Sequence, residues 1–182
     1  MRPRSCVVVT PPTVEPVALS EVRDHLRLTA DQTEHDAYLL GLLATARRLV
    51  ERRLGVTLAP VQYRAKWPAG AVVLELANPP LLTGEDYPLA VTVGGDAVAE
   101  EDYELDGDRR PAELELGSPA TGEVVVTYWA GGQLAPQIRS AILLLVGHLF
   151  AHREAVTTEA APVEVPMAVE TLLASESVTG VW

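Results

Sequence analysis

The sequence predicts an α+β protein: a helical bundle made from the N- and C-terminal helices, with a β-rich insertion of short antiparallel strands between them. Three observations carry this. Apolar residues recur at helical spacing early in the chain and again late, the stretch between them switches to period two, and turn residues punctuate that stretch. The helical core reads as residues 15–56 and 133–175 and the insertion as 57–130, all within a single subunit spanning 1–182. Residues 175–182 form a tail with no packing period.

The elements follow in order. Ser20 suits the N-cap of a short helix Glu21–Leu28, with Val22 and Leu26 four apart on one face. Asp31 and Glu34 make an acidic variant of the capping box and open a long helix that runs to about Leu54. Its apolar stripe is Leu39, Leu42, Leu43, Ala46, Leu49, Val50 and Leu54; Arg52 and Arg53 suit the negative end of the helix dipole, and Gly55 is the expected stop. Such a helix is on the order of 35 Å long.

Short strands are then predicted at Val61–Trp67, Val72–Leu76, Ala90–Val93, Tyr103–Leu105, Glu113–Leu116 and Glu123–Trp129. Pro79-Pro80, Gly94-Gly95-Asp96 and Asp106-Gly107 supply the turns between them. Pro136 fits a first helical turn, and a helix from Ile138 to about Glu154 follows. Within it, AILLLVGHLFAHREA is apolar most of the way round, which predicts a place at the centre of the core. The run falls short of the roughly 20 residues a membrane span needs. A Thr/Glu/Ala/Pro linker covers Val156–Val165, and Pro166 starts a short helix Met167–Ala174 with Val169, Leu172 and Leu173 inward.

Composition narrows the function. The 182 residues are 48% hydrophobic, enough for one core or one core with a small appendage. A net charge of −11 argues against a general nucleic-acid-binding surface, and 5% aromatics argue against a base-stacking platform. The single cysteine, Cys6, excludes a disulfide framework and a thiolate zinc cluster, and reads as a small half-buried residue in a strand. In MRPRSCVVVTPP the apolar run Cys6–Val9 is too short for a secretory leader and Pro11-Pro12 ends it, so a soluble chain is expected.

Candidate chemistry is sparse. His148 and His152 stand at the i, i+4 spacing that can chelate zinc, but no glutamate directly follows the first and no third ligand is marked. Flanked by Leu149 and Phe150, they read as the edge of a core face. Glu113, Glu115 and Glu123 lack a partner for acid–base work, and Gly94-Gly95 and Gly131-Gly132 are isolated turn pairs rather than a phosphate loop. No nucleophile elbow is present. No catalytic residue, metal site or cofactor is therefore expected, and a small metal-dependent enzyme built on His148, His152 and Glu154 is the rival reading. The one concentrated positive patch is Arg47, Arg48, Arg52 and Arg53; it reads as a solvated helix face or, since arginine is favoured at interfaces, as a subunit or partner contact.

Five stretches, in this order, carry a resemblance: TPPTVEPVALSEVRDHLRL, LLATARRLVERRLG, VVVTYWAGG, PQIRSAILLLVGHLFAHREA and VPMAVETLLA. Together the sequence resembles the head–tail connector (adaptor) proteins of long-tailed double-stranded DNA phages and of phage-derived gene transfer agents, over roughly residues 10–60 and 123–175. The resemblance implies a virion protein, assembled in the host cytoplasm, that forms a homo-oligomeric ring of twelve copies under the portal protein. The ring extends the DNA channel without binding DNA specifically and presents a platform for a stopper or tail-terminator protein; a stopper or terminator role for the chain itself is the neighbouring alternative. In that family the C-terminal segment commonly reaches into the portal, often with a basic stretch after the last Leu-Leu. This chain has Ala174-Ser175-Glu176-Ser177 there, which shifts the expected portal or partner contact onto Val178, Val181 and Trp182, with Leu172 and Leu173 before them.

Overall fold

A computed structural model describes every residue except 30, 133, 153–166, 175 and 177–182. The chain divides into two compact units: Met1–Val14 with the segment from Gly55 to Gln133, and Glu15–Leu54 with the chain from Leu134 onward.

The first unit is β-rich, and every strand pair in it is antiparallel. Its strands are β1 (Ser5–Thr10), β2 (Val61–Trp67), β3 (Val73–Leu76), β4 (Leu81–Leu82), β5 (Ala90–Val93), β6 (Asp96–Ala97), β7 (Tyr103–Asp106), β8 (Ala112–Leu116) and β9 (Val124–Ala130). One sheet runs β1-β2-β9-β5-β6 with β4 also beside β9, and a second runs β3-β8-β7. All six strands read from the sequence are present, and β3, β7, β8 and β9 strictly alternate a more buried with a wetter residue. In β9, Val124, Val126, Tyr128 and Ala130 are buried and the residues between them are only half-buried. The structure adds β4 and β6, and it gives the strand expected at Cys6 its extent and partner as β1. Of these, β1 lies outside residues 57–130: the N-terminal segment pairs with β2 from Ser5↔Lys66 to Thr10↔Gln62.

Trp67, Leu74, Leu76, Leu114, Val124 and Tyr128 fill the core of this unit. Its two large polar-tipped aromatics are satisfied: the Trp67 indole donates to the Met1 carbonyl at 2.9 Å, and the Tyr128 hydroxyl donates to the Ala77 carbonyl at 2.8 Å. Cys6 Sγ lies 3.7 Å from that hydroxyl, and burial pushes its thiol pKa up. Past the end of β9, Gly131 has φ +119°, and a Cβ there would sit 2.2 Å from the Ala59 carbonyl oxygen. Only glycine fits.

The second unit is helical: α1 (Leu19–His25), a 3-10 turn (Thr33–His35), α2 (Asp36–Leu54), α3 (Pro136–Ala151) and α4 (Met167–Ala174). Four boundaries or faces differ from the sequence reading. Ser20 is not the N-cap; Ala18 is, and Glu21 at the third helical position accepts from its backbone N–H at 3.3 Å. The helix stops before Leu28 because Arg27 takes φ +57°, with Arg27 N–H on Asp24 O and Leu28 N–H on Arg23 O, the two bonds of a Schellman ending. The long helix begins at Asp36 rather than near Asp31, since Asp36 is held by the Arg23 guanidinium (Nε–Oδ1 2.9 Å) and a 3-10 turn takes up the preceding residues. At 19 residues α2 is about 28 Å long. Finally, α3 is amphipathic rather than buried all round: Ile138, Ala141, Ile142, Leu145 and Val146 are buried, Leu144 is exposed, and Gly147–Phe150 are half-buried. Pro136 does open α3, and Gly55, at φ +68°, follows α2 as expected.

Candidate assembly surfaces

The arginine cluster of α2 is divided by its partners. Arg47 is only 5% exposed and is gripped by two carboxylates, Glu15 at 2.7 Å and Glu51 at 2.8 Å. Burial works against its charge, yet the bonds and field of the two glutamates outweigh it and the guanidinium pKa is raised. Arg53 reaches α4, with its terminal nitrogen 2.7 Å and its Nε 3.0 Å from Glu170. That bidentate contact holds the Glu170 carboxyl below the usual carboxylate range. Arg48 and Arg52 are exposed and make no ion pair among the described residues. Two members of the cluster thus hold the bundle together and two face solvent. The partners Glu15 and Glu170 lie 32 and 117 residues away in sequence, beyond the reach of any local pattern.

Beside Arg53 a groove of about 320 Å³ runs between α2, α3 and α4. Val50, Leu145, Val169 and Leu173 make its floor, and Leu49, Arg52, Arg53 and Glu170 line it further out. Of the residues expected to meet a partner, Leu173 is buried in this groove and Leu172 is half-buried on the same helix; Val178, Val181 and Trp182 lie outside the described residues, as does the Val156–Val165 linker. A floor of this kind accepts apolar side chains, and its guanidinium rim favours a neighbouring carboxylate.

The two histidines of α3 lie side by side, ring centroids 4.4 Å apart, with His152 Nδ1 2.8 Å from the His148 carbonyl oxygen. Among the described residues no three His, Cys, Asp or Glu side chains gather where they could share a metal ion, and Glu154 lies outside them. Nor, among the described residues, is any helix long and apolar enough to cross a membrane. Three consecutive apolar residues of β1 are also exposed, a surface the sequence reading did not mark: Val7, Val8 and Val9, at 54%, 54% and 38%.

Comparison with known proteins fits this architecture. The model of the phage gp6-like head-tail connector protein family matches residues 16–78, which span α1, α2, β2 and β3. Among solved structures, the chain is similar to one from the virion of a native gene transfer agent particle, with TM-score 0.75 and 24% identity over 97% of each chain. It is similar also to one from the neck of an empty gene transfer agent particle computed with C6 symmetry, with TM-score 0.70 and 24% identity over 92% of this chain and 94% of that one. A third, from the neck of a native particle computed with C12 symmetry, gives TM-score 0.64 and 23% identity over the same shares. No curated protein matches the chain. The connector resemblance read from the sequence is thus met twice, by the family over residues 16–78 and by the fold over nearly the whole chain.

Proposed function

We propose that this protein is a structural component of a virion head–tail junction: an adaptor whose copies form a ring between the portal and the stopper or tail, extending the DNA channel. The observation that carries the reading is the likeness of the fold, over 97% of the chain, to a protein of a gene transfer agent virion, together with the connector-family match over residues 16–78. The surfaces fit such a role. A ring subunit needs side-by-side contacts and a segment that docks on its neighbour, not a catalytic centre; the exposed pair Arg48 and Arg52, the groove under α4 and the apolar tail residues Val178, Val181 and Trp182 are the places assigned to those contacts. A charge of −11 per copy suits a passage for DNA, because each additional lysine or arginine on phosphate strengthens retention of the polymer.

The test is direct. Purified protein is added to tail-less, portal-bearing heads and the vertex is imaged by electron microscopy. A closed collar of this protein against the portal is the expected result. Density only beyond a collar made by another protein makes the chain a stopper or terminator instead, and no density at the vertex overturns the junction role.

A further inference from the structure

The larger sheet of the β-rich unit has two unlike edges. β1 ends the larger sheet and is hydrogen-bonded on one side only, by β2. A long apolar edge strand left open to water is a liability, since its free N–H and C=O groups template pairing with another chain; proteins normally blunt such edges with charge, proline or a cover. Here the open strand carries Val7, Val8 and Val9, all exposed. Around it the charge is basic. Arg4 and Arg64, the latter opposite Val7, are exposed and make no ion pair among the described residues, whereas Arg2 and Lys66 are taken up by Glu75 and Glu123.

At the other end of the same sheet lies β6, and next to it the acidic turn Glu100–Asp102 that leads into β7. Between them opens a groove of about 530 Å³ lined by Val93, Val98, Leu116, Pro119, Glu101 and Asp102, among others, with no basic side chain in its lining. Asp96, Glu100, Glu101, Asp102 and Glu104 are all exposed there and make no ion pair among the described residues. One edge of the unit is therefore apolar and basic, and the far edge is apolar and acidic.

Two different, complementary surfaces at opposite edges of one body are what a head-to-tail contact between copies requires; a two-fold dimer would need one self-complementary patch. We infer that the β1 edge of one copy, with Val7, Val8, Arg4 and Arg64, docks against the acidic groove of the next copy at Glu101 and Asp102. The occupant of each surface is a second copy of this chain. This rests on the ring reading above and names the faces that build the ring.

A charge swap tests it. R4E/R64E reverses one face and E101K/D102K the other; Val8→Asp spoils the apolar edge. Self-association is followed by sedimentation velocity in the pure protein, and by the number of copies retained on portal-bearing heads. Each double variant alone is expected to associate more than about tenfold more weakly than wild type, with wild-type association itself weakening as salt rises. Mixing the two variants restores association, because every reversed face then finds its opposite. Circular dichroism checks that each variant is folded, and Val8→Asp gives a second route to the same loss without touching charge. If both double variants assemble as well as wild type, or if mixing fails to rescue them while each is folded, the inference is overturned. Full copy number on heads with R4E/R64E overturns these faces yet leaves the adaptor role standing; wild-type protein that neither self-associates nor binds heads overturns both.

Discussion

Gly131 and Arg47 show how differently single residues can be read. The sequence marks Gly131-Gly132 as a turn, which it is, but the reason alanine cannot replace Gly131 is a carbonyl distant in the sequence: Ala59 O, 2.2 Å from where a Cβ would stand. Gly131→Ala is expected to cost more than about 1 kcal/mol, since left-handed backbone and a blocked Cβ add together. Urea unfolding with an unmoved midpoint would show that the close approach relaxes freely. Arg47 reads as one of four equivalent arginines, and nothing local distinguishes it. In the structure it is the buried one, shared by Glu15 and Glu51, and removing it takes the guanidinium away from two partly buried carboxylates. Arg47→Ala is expected to destabilise the protein by about 3 kcal/mol, against less than about 1 kcal/mol for Arg48→Ala, which removes no observed partner. Equal midpoints for the two variants would count against this division of the cluster.

At the scale of elements, periodicity was legible and boundaries were less so. Strand bounds in β2 and β5 match the sequence reading residue for residue. The strand at Cys6 is legible without its extent or its partner, because Val7, Val8 and Val9 form a run rather than an alternation and β2 lies more than fifty residues away. The ends of α1 and α2 moved for a shared reason: Arg27 in a left-handed conformation and the Arg23–Asp36 pair are settled by three-dimensional contacts that a capping pattern does not contain. The inward face of α4, by contrast, was readable from Val169 and Leu173, though not its clasp to Arg53. That clasp makes the packing of α4 on α2 acid-sensitive. The Glu170 carboxyl is held low by Arg53, so the contact contributes fully above the ordinary glutamate value near 4.3 and is lost as pH falls through the lowered value. Both groups are largely exposed, so solvent screens the pair and the effect is small. Amide exchange in α4 is expected to speed up on acidification beyond the intrinsic pH effect, and Arg53→Ala should abolish that extra response. An α4 whose protection responds to pH identically with and without Arg53 would remove the clasp from the account.

For the whole molecule, the consequential question is what joins one body to the next. The order of helix, sheet and helix was visible in the sequence, and so was the connector resemblance, because both depend on patterns repeated along the chain. Which members of the arginine cluster stay free for a contact was not legible, since that depends on which side chains remain without an ion pair after folding, as Arg48 and Arg52 do among the described residues. The C-terminal segment is the further contact that the sequence itself suggests. It ends on Val181 and Trp182, one of only three tryptophans in the chain, and no apolar period relates it to the helices before it. Tryptophan in a solvated tail gains nothing, while as an anchor buried in a partner it is commonly worth roughly 2 kcal/mol or more, or about thirtyfold in affinity. Trp182→Ala is therefore expected to weaken binding to portal-bearing heads by about that factor, and deletion of Val178–Trp182 to abolish it. Neither change should move the melting temperature of the isolated protein, because no apolar period in the sequence sets this segment against the helices before it. Binding is measured by co-sedimentation with heads and stability by thermal unfolding of the same preparations. A truncated chain that still binds removes the tail from the docking surface, and one that melts markedly earlier assigns the tail to the subunit's own core.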